Sequence, residues 1–325
     1  LGLFIARGQD LDGVGAALIG VSNSGSVDGV QLSGIYRTIE GDLSGIQAFG
    51  IYNTIGGNLN GIQAAGVFNS LGGAGMGIQG AGIFNTAGDS CWGIQASGIF
   101  NMVRGDLHGT QAGLVNITRG ETHGVQLGLY NRNSGGDAFQ AGLINVSRGE
   151  NTDAVVSLGL VNIITNGILH PALYLDDKEF MNVSFRSGSK YFYSIFMAGD
   201  QGLRFGSEPL VIGGKKDRPL VVSRVGIGVE LPLEKVFFDL DVLAGSFFDV
   251  EAMENWDEGV SNNVQARLTA GFNLFKHLGF FAGFSYDYIY RLSDSSPSPG
   301  GHNAIYHFED DRHIHRIGFF GGVQF

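Results

Sequence analysis

The sequence predicts an all-β protein in two parts: an N-terminal Gly-rich β-solenoid of 16-residue repeats over 1–167, then an eight-stranded antiparallel transmembrane β-barrel over 168–325. Three observations carry this expectation. A Gly-[Ile/Val/Thr]-Gln unit recurs at a 16-residue spacing through the first half. The second half switches to strict alternation of apolar and polar residues. Composition breaks between them, near His170-Pro171: 36 of the 54 glycines lie in 1–170, while all six prolines and 14 of the 20 Lys and Arg lie in 171–325.

The repeat runs Gly-Val-Gln at 29–31, Gly-Ile-Gln at 45–47, 61–63, 77–79 and 93–95, and Gly-Thr-Gln at 109–111. Shorter units end in Gln126 and Gln140. Each Gln precedes a Gly-aliphatic-[aromatic or aliphatic]-Asn unit, such as Gly82-Ile83-Phe84-Asn85. Sixteen residues make two short strands and two turns, too little to bury a hydrophobic face alone. Parallel stacking solves this by placing each Ile, Phe and Asn on its counterpart one coil away. About ten coils at ~4.8 Å give a rod of about 45–50 Å.

The indels locate the corners. The Gln-to-Asn interval is six residues through Asn101 and five from Gln111-Asn116 onward. A residue lost within a strand would turn every later side chain to the opposite face. A corner absorbs the loss, so one is expected near Gly50 and its equivalents. The other falls in connections such as Gly41-Asp42 and Gly56-Gly57-Asn58, where positive φ suits Gly and Asn. Gly2-Leu3-Phe4 through Asp12 reads as the tail of one more repeat, so the chain is expected to begin inside the array, with a processed or truncated N-terminus.

Two columns stand out: Gln47, Gln63, Gln79 and Gln95, and Asn53, Asn69, Asn85 and Asn101. They read as structural amide ladders or turn caps along the stacking axis, or else as a row of ligand-binding groups. Gly73-Ala74-Gly75 lacks the strand-to-helix setting of a nucleotide loop.

In the second half, strands are expected near 168–176, 179–187, 190–199, 220–231, 236–247, 263–275, 278–291 and 315–325. Three features favour a membrane barrel over a soluble sandwich. The better strands approach the ~9–11 residues that cross a bilayer. Tight turns such as 188–190, 232–235 and 276–277 alternate with long polar connections at 200–219, 248–262 and 292–314. Aromatic residues (Tyr191, Tyr193, Phe237, Phe275, Tyr286, Tyr288, Tyr290) gather at strand ends, as an interfacial girdle requires. Alternation assigns Arg224, Glu230, Asp239, Asp241, Arg267, Asp287 and Arg316 to the lumen, where they form either a closed ionic network or the lining of a narrow pore.

Several classes are set aside. A net charge of −11 argues against a nucleic-acid partner. Cys91 alone makes neither a disulfide scaffold nor a cysteine zinc site, and reads as inert. No apolar run reaches the ~18 residues of a transmembrane helix. Neither Gly-x-Ser-x-Gly nor His-Glu-x-x-His occurs, and Asp239 and Asp241 read as barrel lining rather than an acid–base couple. No catalytic constellation and no cofactor are expected. His313 and His315 would share a strand face and are the weak candidates for a metal. Asp249, Glu251, Glu254, Asp257 and Glu258 lack the spacing of a calcium loop.

The Gly-[Ile/Val]-Gln-x-x-Gly-[Ile/Val]-[Phe/Tyr]-Asn array resembles the surface-repeat-containing proteins of spirochaetes and related Gram-negative bacteria, over about residues 1–165. The terminal Phe325 resembles the last-strand signal of bacterial outer-membrane proteins. The shortened units after Gln111 and Val156 in place of Gln depart from the strict pattern. The resemblance implies an outer-membrane or surface location and little about activity. With Phe325 on the periplasmic side, eight strands return the solenoid to the periplasm; surface exposure is the alternative. The resulting expectation is a non-enzymatic outer-membrane scaffold with outer-membrane lipid and a protein of the cell envelope as partners. The alternative is a porin-like channel, in which the repeats join a larger barrel of about 16–18 strands.

Overall fold

A computed structural model describes residues 4–178, 181–200, 220–249, 260–275, 278–293, 296–297 and 304–325, which contain strands and turns and no helix. The chain divides into two compact units, Leu1–Gly167 and Ile168–Phe325.

The first unit is a parallel β-solenoid whose coils contribute alternately to an 11-stranded and a 10-stranded sheet. One repeat supplies Leu59–Ala65 to one sheet and Phe68–Leu71 to the other. Like lies on like: Gln63, Gln79 and Gln95 are in register, as are Asn69, Asn85 and Asn101. The shortened units keep this register (Gln95 on Gln111, Asn101 on Asn116), because the missing residue comes out of the corner. The repeats are therefore coils of a solenoid, not antiparallel strands of a larger barrel.

The positive-φ expectation needs correction. Gly135 and Gly136, just before Asp137, carry it at their corner, but corners such as Gly41-Asp42 and Gly56-Gly57-Asn58 do not; most of it falls within the strands, at positions such as Gly45, Gly61, Gly77 and Gly93, two residues before each Gln. A Cβ on Gly77 would sit 1.9 Å from Gly61 O. Corner glycines such as Gly56 are required by stacking instead, since a Cβ there would lie 2.3 Å from Glu40 O. Tight coil-on-coil approach explains the glycine content better than turn dihedrals do.

Inside the coil the two edges differ. Towards the Gly-Asp edge, Leu43, Leu59, Cys91 and Leu107 pack against Ile39, Ile55, Leu71 and Val103 in a dry core. Each such side chain contributes about 1.5–3 kcal/mol of burial. Towards the other edge, the amide columns fill the interior.

The second unit is an antiparallel barrel of eight strands: Ile168–Asp176, Met181–Gly188, Phe192–Asp200, Leu220–Leu233, Val236–Asp249, Val260–Phe275, Leu278–Arg291 and His313–Gln324. The first pairs with the last (Ala172 with Gln324), which closes the ring. Stepping across the ladders from Ala172 leads through Ser184, Met197, Arg224, Gly245, Asn263 and Ile289 to Ile314. Ala172 itself pairs with Gln324, ten residues further along that strand (324 − 314). A stagger of this size over eight strands corresponds to a tilt of about 40° and an interior that side chains can fill.

Two expectations about this half change. The connection expected over 292–314 contains a short strand, Tyr306–Glu309, and the last strand begins at His313. The first barrel strand covers only Phe320–Gln324 of the last strand, and Tyr306–Glu309 pairs with 314–317 beyond it. An otherwise bare strand edge is thus covered. Secondly, Tyr193 and Phe237 are not girdle residues: they are buried in the lumen.

Candidate functional site

The amide columns are hydrogen-bonded ladders. Gln63, Gln79, Gln95 and Gln111 each donate from Nε2 to Oε1 of the Gln one coil earlier, at 2.8–3.1 Å. Asn53, Asn69, Asn85 and Asn101 donate from Nδ2 to the Asn one coil later, at 2.9–3.0 Å. The two ladders run in opposite directions, so their amide dipoles oppose. Each Asn also donates to a backbone carbonyl next to the corner of the following coil: Ala64, Gly80, Ala96 and Ala112. Fully enclosed and paired, these amides satisfy backbone; they have no face open to a ligand.

Arg37 begins the Asn column. It is fully enclosed, donating from Nε to Asn53 Oδ1 at 2.9 Å and from Nη1 to Ser33 O at 2.9 Å, while Nη2 has no hydrogen-bond partner. Burial pushes its pKa down to about 10. A base depressed in the folded state binds fewer protons there than in the unfolded chain from about pH 10 up to the ordinary guanidinium range. Stability therefore rises with pH across that window, and the full penalty applies below it. Arg37→Asn removes the charge and keeps the donor to Asn53. Allowing for the lost Ser33 bond, it is expected to stabilise the solenoid by about 2 kcal/mol at neutral pH, with a flatter alkaline limb. Urea titrations from pH 7 to 12 check this; an unchanged midpoint would mean that the charge is compensated.

Outside the coil the edges are opposite in character. At the Gly-Asp edge, Asp42 and Asn58 accept the backbone N–H of Asn58 and Ala74 one coil later, at 2.6 and 2.9 Å. Here too lies a ring stack that sequence reading did not single out: Trp92 on His108 (centroids 5.2 Å apart) and His108 on His123 (4.9 Å). A depression of about 310 Å3 beside Trp92 is lined by Asp42, Asn58, Asn60 and Met76 among others. At the Asn-ladder edge the surface is apolar, with Ile51, Ile83, Ile99, Leu114, Leu129 and Leu143 each 40–56% exposed. Beside them Tyr36, Tyr52, Phe68 and Phe84 stack at centroid separations of 4.9–5.7 Å.

In the barrel, alternation sorts the residues as expected. Arg224, Asp239, Asp241, Arg267, Asp287 and Arg316 are all inside and no more than 5% exposed, and Glu230 lies half-buried opposite Asp239. Asp287 accepts from Lys178 Nζ (2.9 Å), Gln265 Nε2 (2.8 Å) and Asn263 Nδ2 (3.3 Å), with Arg224 Nη2 3.6 Å away. Arg267 grips Asp241 Oδ2 through Nε and Nη2, and Tyr193 donates to Asp241 Oδ1. Arg186 pairs with Asp239 and Gln324, and Arg316 with Asp177. Tyr174, Phe320 and Phe247 pack beneath these guanidinium groups. These pairs link the lumen side chains into an ionic network. Asp177 and Lys178 were missed, because an Asp-Asp-Lys run between two short strands reads as a solvated turn; here it is buried against the network.

His313 and His315 do share an outward face. Their Nδ1 atoms are hydrogen-bonded to Tyr288 and Tyr286 Oη, each at 2.7 Å, and no group of three metal-ligating side chains occurs among the described residues. Asp249 is buried, and Glu251, Glu254, Asp257 and Glu258 lie outside the described residues. Comparisons with protein-family models, curated proteins and solved structures find no match for this chain.

Proposed function

We propose that this chain is a non-enzymatic outer-membrane protein whose barrel anchors the solenoid as a scaffold and interaction surface. The observation that carries the reading is the barrel's polarity. Its outward side chains, among them Val225, Ile227, Leu240, Val242, Leu268 and Phe284, are apolar and exposed, while Arg224, Asp239, Asp241, Arg267, Asp287 and Arg316 are inside. That arrangement is unfavourable in water and suits a lipid belt. The resemblance of the repeats to spirochaete surface-repeat proteins points to the same envelope.

The short connections 189–191 and 234–235, like the ends of the strands at Phe275 and Leu278, lie at the rim where the first strand starts and the last ends. Short turns are periplasmic in outer-membrane barrels, which supports a periplasmic solenoid. The test is reconstitution of the full chain. It should float with phospholipid vesicles and give no large stable conductance in planar bilayers, since the lumen is filled. A porin-sized conductance would overturn the scaffold reading. In intact cells, a Cys placed at Asn58 with Cys91 replaced should resist an impermeant maleimide until the outer membrane is permeabilised; labelling without that step would move the solenoid to the surface.

A further inference from the structure

We infer that the Asn-ladder edge of the solenoid is a lipid-binding edge, which lies in the hydrocarbon boundary of a phospholipid surface. The inference rests on the barrel being the membrane anchor and names what the solenoid's apolar face touches.

Three outward columns make the edge, typified by Ile94, Ile99 and Phe100 and repeated on each coil. No charged residue occupies any of them, whereas Glu40, Asp42, Asp89, Asp106 and Glu121 lie at or beside the opposite edge. The band is about 45 Å long over ten rungs, more than water-soluble monomers leave bare. With these three columns free of charge and carboxylates gathered towards the opposite edge, the rod matches an interface between water and hydrocarbon.

The backbone distinguishes hydrocarbon from a protein partner. Peptide groups entering lipid need internal partners, because no water is there to take their place. The turn at this edge meets that demand. Ile51, Val67, Ile83 and Ile99 each donate N–H to the carbonyl one coil earlier, at 2.6–3.0 Å, and Gly66 and Gly98 do the same at 2.7 and 3.2 Å. The carbonyls of Ala64, Gly80, Ala96 and Ala112 accept from the Asn ladder. The ladder thus keeps this edge dry from within. A protein partner would also lack a fixed register, since identical rungs every ~4.8 Å allow it to slip from coil to coil. Fluid acyl chains need no register.

The test uses the full chain in phosphatidylcholine vesicles, with Cys91→Ala and one environment-sensitive label at a time. Ile99→Cys and Leu129→Cys report on the edge, Asn58→Cys on the Gly-Asp edge and Leu240→Cys on the barrel's outer face. Doxyl-labelled phosphatidylcholine should quench the Ile99 and Leu129 labels at least half as strongly as the Leu240 label. Iodide should quench only the Asn58 label. Edge labels open to iodide, or shielded from both quenchers as a second copy would shield them, overturn the inference while Leu240 still reports lipid. A Leu240 label that lipid does not quench overturns the anchor reading itself, and this one with it.

Discussion

Asn85→Leu is expected to lower the stability of the solenoid by about 3–6 kcal/mol. Leucine is close to asparagine in size, so the loss comes from hydrogen bonds and not from a cavity. Asn85 accepts from Asn69 at 2.9 Å and donates to Asn101 Oδ1 at 3.0 Å and Ala96 O at 2.7 Å, in a fully enclosed position. The substitution removes all three bonds and strands two buried acceptors, each costing about 1–3 kcal/mol. Because stacked coils hold only their neighbours, the defect sits at the interfaces of one coil and uncouples the array on either side. Amide exchange on the full chain should show protection lost first over 68–101. The control, Asn58→Leu, lies on an exposed corner and should change stability far less. If Asn85→Leu exchanged like that control, the ladder would carry no weight in the fold.

The same ladder shows how much was legible in the sequence. Gln47 follows Ile46 directly, and Asn85 follows Phe84. Adjacent residues of a strand face opposite ways, so amides stacked inside force the Ile and Phe columns out. The outward Ile and Phe columns are thus a consequence of the inward amides, legible in the sequence by parity alone. Corner positions were legible because the 16-to-15 change at Gln111-Asn116 removes a residue that only a turn can lose. The positive φ at Gly77 was not legible. Turn chemistry points to Gly-Asp, whereas the steric demand at Gly77 comes from Gly61 of the coil beneath, a contact that exists only once coils stack. In the barrel, parity alone located the lumen charges, while Tyr193 and Phe237 show that an aromatic near a strand end does not face lipid when its parity is inward.

Asp287→Ala is the corresponding experiment on the barrel, and it is expected to destabilise by about 3–5 kcal/mol. The carboxylate is fully enclosed and holds Lys178 at 2.9 Å, with Arg224 3.6 Å away. Removing it leaves two cations facing each other in a filled lumen, with Asp176 and Asp177 each 3.7 Å from Lys178 as the nearest remaining anions of that group. A buried charge without its partner costs more than the pair contributes when intact. Lys178→Met in the Asp287→Ala background should therefore recover part of the loss, although each single substitution destabilises. Urea unfolding of vesicle-inserted protein, run as a double-mutant cycle, reads this directly. A double variant no more stable than Asp287→Ala would show that Lys178 does not depend on this carboxylate. Lys178 would then be held by Asp176 and Asp177, the latter fixed by Arg316, which donates to Asp177 Oδ2 at 2.8 Å.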